Sequence, residues 1–266
     1  MLALLRFFGA NLNAPLAAHF AHRWKAKAMV PYYQDESVTL YHGDCREVMA
    51  SLSGEFFVFT DPPYNVGKEY KGWNDKMPEP EYLAFCAGWI AEVKRLAPEV
   101  CIYPPSKNYL KYWNMLGEEY KQIVLPWTPE GAIRGGFVNQ YASLLTNAKP
   151  KERVKDVWYK VQMQGMGYFF KENNFDHPGY TSEDLTGRVL RYLANPEIPV
   201  LDPFGGTGTT ARIAKNMRRK CVTIEYSEQW CEFIAKSRMA QMSFFTPSNT
   251  ARTRQGQAAP QFDVFE

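Results

Sequence analysis

The chain has 266 residues, of which 45% are hydrophobic, and this is enough for one large α/β core. A formal net charge of +3 is too small to identify a nucleic-acid-binding protein by charge alone. Apolar runs of about 18 residues, which a membrane-spanning helix needs, do not occur. The five cysteines lack Cys-x-x-Cys spacing, so they predict reduced thiols in a reducing compartment such as the cytoplasm and no metal site.

Residues 1–28 differ from the rest because they contain four basic residues and no acidic one. This composition fits either an extension from an upstream start codon or a leader of the organelle-targeting kind. We expect the extension, since nothing else in the chain indicates an organelle. Residues 29–245 are then expected to form a single domain. Residues 246–266, rich in Pro, Ser, Thr, Gln and Gly, are expected to form a flexible tail.

Apolar runs predict strands near residues 38–42, 56–60, 99–103, 121–127, 142–148, 199–203 and 220–225. Helical periodicity predicts helices near residues 80–96, 106–118, 182–194, 208–218 and 227–242. This alternation predicts an α/β fold with a doubly wound, mostly parallel seven-stranded sheet and helices on both faces. Ligands of such sheets bind beyond the carboxyl ends of the strands. Four acidic residues fall at those ends: Asp44, Asp61, Asp202 and Glu225.

The segment Asp61-Pro62-Pro63-Tyr64 directly follows the predicted strand at 56–60. Proline fixes φ and has no N–H, which leaves the carbonyls of Asp61 and Pro62 free to accept hydrogen bonds from outside the chain. The Tyr64 ring offers a face on which a base can stack. Taken alone, the segment fits a plain turn at the end of a strand equally well.

A glycine-rich turn at residues 201–210 lies between a predicted strand and a predicted helix. Glycines let the backbone approach a ligand closely, and the helix N-terminus favours a carboxylate or phosphate. The turn is not Gly-x-Gly-x-x-Gly and has no Lys before Thr209, which disfavours a dinucleotide site or a P-loop. Glu225 ends the next strand about twenty residues later, where an acidic residue can accept from ribose hydroxyls. The alternative is a simple tight turn with Glu225 as a solvated strand end.

The two motifs, in this order, resemble the S-adenosylmethionine-dependent amino-group DNA methyltransferases, specifically the circularly permuted β-class. In that family an Asp-Pro-Pro-Tyr catalytic motif precedes an Asp-Pro-Phe-x-Gly-x-Gly-Thr cofactor motif. The resemblance covers about residues 30–242 and implies a Rossmann-like methyltransferase fold. Segments 38–45, 143–148 and 177–190 also fit the family. After His177-Pro178 the family usually has Gln-Lys-Pro, whereas this chain has no lysine in residues 179–183.

The resemblance also implies the site residues. The catalytic set is Asp61, Pro62, Pro63 and Tyr64. The set for S-adenosylmethionine is Asp44, Cys45, Asp202, Phe204, Gly205, Gly206, Gly208, Thr209, Thr210 and Glu225. Within this set, Asp44 would accept from the cofactor adenine, Asp202 would attract the methionine ammonium and Glu225 would accept from the ribose. No metal is implied.

The resemblance implies methyl transfer to a DNA base that is flipped out of the duplex or already unpaired. We expect adenine N6 to be the acceptor, because family members that act on cytosine N4 tend to have Ser where this chain has Asp61. N4-cytosine DNA methyltransferases and RNA N6-adenine methyltransferases are the alternatives. A P-loop nucleotide hydrolase is disfavoured by the missing lysine.

Residues 149–176 are the segment available for target recognition, and they are too few for a domain with its own core. Within 149–171, six basic residues against two acidic ones alternate with aromatic residues, which suits phosphate contact and base stacking. The alternative is a solvated strand edge with core-facing aromatics, Trp158 foremost. The predicted DNA contacts of this segment are Lys149, Lys151 and Arg153. So short a segment implies loose specificity or a partner, either a second copy in a homodimer or a separate specificity subunit.

Residues 65–73 resemble the mobile loop of the family, which implies Lys68, Lys71 and Trp73 as further DNA contacts. The alternative for each of these three is a solvated loop residue with no role.

Overall fold

The computed structural model describes residues 29–70, 73–126, 141–150, 152–159, 161 and 181–240. The expectations for residues 1–28, for 246–266 and for most of the recognition segment lie outside the described residues, as do Lys71 and Lys151. Among the helices in the described ranges, none has the length and apolarity needed to cross a membrane.

Ten strands are described: β1 (Tyr33–Gln34), β2 (Val38–His42), β3 (Phe57–Thr60), β4 (Glu69–Tyr70), β5 (Trp73–Asn74), β6 (Glu99–Ile102), β7 (Lys121–Pro126), β8 (Tyr141–Thr146), β9 (Val200–Asp202) and β10 (Cys221–Glu225). The helices are α1 (Cys45–Ser51), α2 (Glu79–Leu96), α3 (Tyr109–Leu116), α4 (Glu183–Tyr192), α5 (Thr209–Asn216) and α6 (Glu228–Phe233). A short 3-10 helix (Ser106–Asn108) precedes α3, and a π-helical turn (Ile234–Arg238) continues α6.

The main sheet has the order β1-β2-β10-β9-β3-β6-β8-β7. Strands β2, β10, β9, β3 and β6 are parallel, whereas β8 runs antiparallel to both of its neighbours. This confirms the predicted doubly wound, mostly parallel sheet. The structure adds an eighth strand, the two-residue β1, which pairs antiparallel with β2 at the edge. The strand order reverses between β9 and β3, and this reversal opens a crevice at their carboxyl ends.

Helices cover both faces of the sheet, and alternate strand residues point to opposite faces. Helices α1, α2 and α3 pack on the face that contains Val58. Helices α4, α5 and α6 pack on the face that contains Phe57 and Phe59. Helix α2 illustrates why the helices pack on the sheet. Its buried residues recur at helical spacing, so they form one continuous apolar stripe that contacts the sheet. Those residues are Tyr82, Phe85, Cys86, Trp89, Ile90, Val93 and Leu96.

Trp158 belongs to the core, in agreement with the alternative that the aromatic residues of this segment face the core. Its side chain is 6% exposed, and its ring lies 6.2 Å from that of Tyr192 on α4. The indole nitrogen donates to the Lys155 carbonyl at 3.0 Å. The five cysteines are free, buried thiols, and burial is the main cause that raises the pKa of each of them.

Candidate active site

A cleft of about 1090 Å³, its open mouth included, lies beyond the carboxyl ends of β2, β3, β9 and β10. The turns after these four strands form its walls, and they carry the four acidic residues singled out in the sequence. The cleft lies beside the crevice between β9 and β3, which is where an open α/β sheet binds its ligands.

Asp202 ends β9 at the base of the cleft, and it is 4% exposed. Its Oδ1 accepts from the Thr60 hydroxyl at 2.8 Å and from the Phe204 amide at 3.1 Å. Burial raises the pKa of Asp202 to about 7, although hydrogen bonds from Thr210 and Thr60 oppose the rise. The Thr60 contact joins the end of β3 to the end of β9, so it links the catalytic motif to the glycine turn.

The glycine turn brings its backbone close to β10 and to the π-helical turn. The Gly205 amide donates to the Ile224 carbonyl at 2.7 Å, and a Cβ at Gly205 would lie 2.5 Å from the Thr223 hydroxyl. Gly208 has a φ of +76° and begins α5, and a Cβ there would lie 2.9 Å from Ile234. Gly205 therefore requires glycine because its backbone lies so close to β10. Gly208 requires glycine both for its close contact with Ile234 and for its left-handed backbone conformation.

Glu225 ends β10, and both of its carboxylate oxygens accept backbone amides. Oε2 accepts from Gly206 and Oε1 accepts from Ser227, each at 2.7 Å. Burial raises the pKa of Glu225 to about 7, although these amides oppose the rise. Glu225 thus holds the glycine turn in place, and each oxygen keeps a second lone pair that can accept from a ligand hydroxyl.

Asp61 follows β3 and faces the same cleft. Its Oδ2 accepts from the Thr181 hydroxyl at 3.2 Å, while Oδ1 is buried and has no partner among the described residues. Burial raises the pKa of Asp61 to about 6, against the opposing effects of the nearby Tyr64 hydroxyl, of the hydrogen bond from Thr181 and of the Lys68 charge. The Pro62 carbonyl likewise accepts no hydrogen bond from the residues the structure describes. Two acceptors adjacent in the chain are thus left available.

Hydrogen bonds to neighbouring segments hold the rest of the catalytic motif in place. The Tyr82 hydroxyl on α2 donates to the Pro63 carbonyl at 2.9 Å and lies 3.0 Å from the Tyr112 hydroxyl on α3. The Tyr64 hydroxyl donates to the Tyr103 carbonyl at 3.4 Å. A turn held by two helices keeps its remaining carbonyls in a defined direction, which is the preorganisation that catalysis requires.

Asp44 caps α1 and is already engaged within the chain. Its Oδ1 accepts from the Arg46 amide at 2.8 Å, and its Oδ2 forms an ion pair of 2.6 Å with the Arg46 guanidinium. That guanidinium lies over the Phe85 ring at 5.1 Å from the centroid. Asp44 lines the cleft together with Cys45, so a ligand would share this carboxylate with Arg46.

Trp73 is packed into an aromatic cluster in the wall of the cleft. Its ring packs against Phe85 at 4.8 Å and Tyr226 at 5.7 Å, and Phe85 in turn meets Phe204 at 6.1 Å. These aromatic residues all line the cleft. Trp73 thus forms part of the cleft wall beside Tyr226, beyond the end of β10, and its contact with DNA stays a prediction.

The loop after the catalytic motif is folded around Asp75, which is buried. The Asp75 carboxylate accepts the amides of Asn65 at 2.8 Å and of Val66 and Lys68 at 3.0 Å. The Asn65 side chain also exchanges two hydrogen bonds with the backbone of Met77. Lys68, which the sequence predicts to contact DNA, is exposed and lines the cleft. Nothing in the local pattern singled out Asp75.

Lys149 and Arg153 are exposed. The Lys149 amide donates to the Glu99 carboxylate at 2.7 Å, and Glu99 begins β6. The amino ends of the parallel strands lie at the edge opposite to the cleft. Lys149 therefore lies at the edge opposite to Asp61, because β8 runs antiparallel and ends there, and its contact with DNA stays a prediction.

Thr209 and Thr210 are buried in the first turn of α5, next to a guanidinium that the sequence did not reveal. Arg238, 1% exposed, donates to the Thr207 carbonyl at 3.1 Å and to the Thr209 hydroxyl at 3.5 Å. It also pairs with Glu183 at 3.3 Å. The π-helical turn directs Arg238 inward, and such turns are frequent at functional sites but leave no clear sequence signal.

Comparison with known proteins shows the family. Residues 57–128 and 100–237 match the model of the N6/N4 family described as DNA methylase. The chain is similar to the type II methyltransferase M.ScaI of Streptomyces caespitosus, with 26% identity over 250 residues, 76% of this chain and 81% of that protein.

Two solved structures share the fold. The cytosine-N4-specific PvuII DNA methyltransferase has a TM-score of 0.62 and 17% identity, and the match covers 82% of this chain and 92% of that one. The complex of M1.HpyAVI with SAM has a TM-score of 0.58 and 21% identity, with coverage of 77% and 100%. Because the family model matches more than half of the chain, this protein belongs to the N6/N4 DNA methylase family, and it methylates an amino nitrogen of a DNA base.

Proposed function

We propose that this protein transfers the methyl group of S-adenosylmethionine to N6 of adenine in DNA. The observation that carries the proposal is the pair of available acceptors, Asp61 Oδ1 and the Pro62 carbonyl, in the same cleft as the glycine turn. An amino group has two N–H bonds to donate, and these two acceptors match it.

The residues of the cleft fit S-adenosylmethionine. This cofactor carries an ammonium, a sulfonium, a ribose diol and an adenine, and it supplies an electrophilic methyl group. Three carboxyl groups with raised pKa values, those of Asp61, Asp202 and Glu225, favour a ligand that carries positive charge and hydroxyls. The fold shared with the M1.HpyAVI complex with SAM supports the same cofactor here.

Each part of the cofactor site has a distinct role in the proposal. Asp202 attracts the methionine ammonium, Glu225 accepts from the ribose hydroxyls and Asp44 accepts from the adenine amino group. Cys45 and Phe204 line the adenine side. The glycines at 205, 206 and 208 admit the methionine portion close to the backbone. The start of α5, with Thr209 and Thr210, faces its carboxylate.

The catalytic residues make a poor nucleophile reactive. The lone pair of an exocyclic amino nitrogen is delocalised into the base, so the nitrogen attacks a methyl group slowly. Hydrogen bonds to Asp61 Oδ1 and to the Pro62 carbonyl draw the nitrogen towards tetrahedral geometry. Positive charge develops there during transfer, and an ionised Asp61 stabilises it more than it stabilises the ground state. Tyr64 stacks on the extruded base, and the proton released from nitrogen passes by way of Asp61 to solvent.

Adenine is proposed over cytosine because Asp occupies position 61. The cytosine N4 amino group poses the same chemical problem, so N4-cytosine methylation is the second candidate, followed by N6-adenine methylation of RNA. The protein is incubated with methyl-labelled S-adenosylmethionine and either duplex DNA or structured RNA. The products are digested to nucleosides and identified by mass spectrometry. N6-methyladenine from DNA is expected. N4-methylcytosine, or label found only in RNA, would overturn the proposal.

Target recognition is proposed to need Lys68 and residues of the segment 149–176, or a partner. Single-molecule sequencing of DNA from cells that express the protein reports the base and its context together. Light scattering of the purified protein with and without DNA tests for the homodimer. A defined context from a monomer would exclude the need for a partner.

A further inference from the structure

We propose that Thr181 is a positioning residue that orients the Asp61 carboxylate towards the amino group. The inference rests on the function proposed above and deepens it. Thr181 donates its hydroxyl hydrogen to Asp61 Oδ2 at 3.2 Å. A carboxylate is planar, so a bond to one oxygen limits rotation of the group and sets the direction of the other oxygen. That other oxygen, Oδ1, is the buried atom with no partner among the described residues.

Thr181 is well placed for this task because the next residue caps a helix. The Ser182 hydroxyl accepts from the Leu185 amide at 3.2 Å, and the Ser182 carbonyl accepts from the Thr186 hydroxyl at 2.8 Å. A capped helix start holds its backbone in one conformation. The backbone that carries the Thr181 hydroxyl is therefore held in place by the start of α4.

The same helix start is tied to the glycine turn. Glu183 pairs with Arg212 at 2.5 Å and with Arg238 at 3.3 Å. Arg238 donates to the Thr207 carbonyl at 3.1 Å. The start of α4 thus contacts the glycine turn through Glu183 and the catalytic carboxylate through Thr181. One rigid element aligns the two parts of the site with each other.

The hydroxyl also acts on the charge of Asp61. The titratable or charged groups facing this carboxylate are Lys68 and Tyr64 from the following loop, Tyr103 beyond β6 and Asp202 at the end of β9. Because the Thr181 hydroxyl donates to the ionised form, its removal raises the pKa of Asp61 further.

The test compares Thr181→Val, which keeps the shape and removes the hydroxyl, with Thr181→Ser, which keeps the hydroxyl. The pKa of Asp61 is measured by ¹³C NMR of the protein without ligands, with Asp61→Asn to assign the signal. A rise of about 0.5 to 1 is expected for Thr181→Val, since the contact is one ordinary hydrogen bond. The turnover number at pH 7 is expected to fall about 3- to 10-fold and to recover partly at pH 8.5. Thr181→Ser restores both, and the cofactor Kd changes less than about 2-fold.

Thr186→Val is the matched control, because it removes a buried hydroxyl from the same helix that does not contact Asp61. It is expected to lower stability and to leave the pKa of Asp61 unchanged. The inference is overturned if Thr181→Val leaves that pKa and the rate unchanged, or if Thr186→Val changes them equally. If Thr181→Val does not fold, Thr181→Ala is measured in the same way. Absence of any DNA methylation by the unmodified protein refutes the proposed function, whereas the NMR titration still decides on the contact.

Discussion

Protonation of Asp202 is expected to weaken the binding of S-adenosylmethionine. Asp202 is 4% exposed, and burial raises its pKa to about 7, so the carboxyl is neutral below this pH and ionised above it. Only the ionised form attracts the ammonium of the cofactor. Since the pKa lies above the unfolded value of 3.8, ionisation also disfavours the folded state. The free energy of unfolding of the ligand-free protein therefore falls as pH rises from about 4 to about 7.

The magnitude follows from the pKa. With a pKa of about 7, the ionised fraction of Asp202 is about 10% at pH 6 and about 90% at pH 8, so the affinity falls about tenfold between pH 8 and pH 6. In Asp202→Asn, Oδ1 can still accept from Thr60 and the Phe204 amide, and the fold is expected to survive. Loss of a hydrogen bond to a charged group costs about 1.5–3 kcal/mol. This corresponds to a Kd about 10- to 150-fold weaker at pH 8.

Isothermal titration calorimetry with S-adenosylmethionine at pH 6, 7 and 8 and constant ionic strength measures both effects. Glu225 has a similar pKa, so Glu225→Gln is measured in parallel. Each single variant is expected to lose its own part of the pH dependence and to retain the other part. If Asp202→Asn binds as tightly as the unmodified protein and with the same pH dependence, Asp202 does not pair with the ammonium.

Three further predictions concern the catalytic motif and the glycine turn. Asp61→Asn is expected to lower the rate of methyl transfer, measured with labelled cofactor, at least about 10³-fold. The cofactor Kd, measured by calorimetry, is expected to stay within about 3-fold. A Kd weakened as much as the rate would contradict the role of Asp61. Tyr82→Phe removes the donor to the Pro63 carbonyl, so urea denaturation should show a loss of about 1–2 kcal/mol and the turnover number should drop several-fold; an unchanged turnover number would show that this bond does not position the motif. Gly205→Ala should abolish detectable cofactor binding, because the added Cβ would collide with β10. The control is Gly187→Ala on α4, where nothing lies near the added Cβ, and it should raise the free energy of unfolding by about 0.5–1 kcal/mol. Equal effects of the two alanines on cofactor binding would argue against the steric explanation.

The sequence predicted the sheet and the edge at which the site lies. Each long strand is a short apolar run bounded by turn residues, and its burial on both faces requires such a run. Once the strands are parallel, the residues that follow them meet at one edge, so the clustering of Asp44, Asp61, Asp202 and Glu225 needed no further information.

Contacts between distant segments could not be predicted in the same way. Lys149 was predicted to contact DNA, but the edge of the sheet at which it lies follows from the direction of β8, which depends on pairing with β6 and β7 and not on its own residues. Trp73 resembled a surface residue of a polar loop, and only the folded chain brings it to Phe85. Thr181 and Arg238 have no local signature, because each acts through a neighbour that is far away in the sequence.

The two consecutive prolines of the catalytic turn have a consequence for base choice. Neither proline carries an N–H, and the ionised Asp61 carboxylate has none, so this corner of the cleft contains acceptors and no donor from these residues. A thymine, uracil or hypoxanthine ring in the place of adenine would present a carbonyl oxygen there. Lone pairs would then face lone pairs. If Asp61 and Pro62 hold the target amino group as proposed, we expect the turn to favour amino over keto bases by polarity.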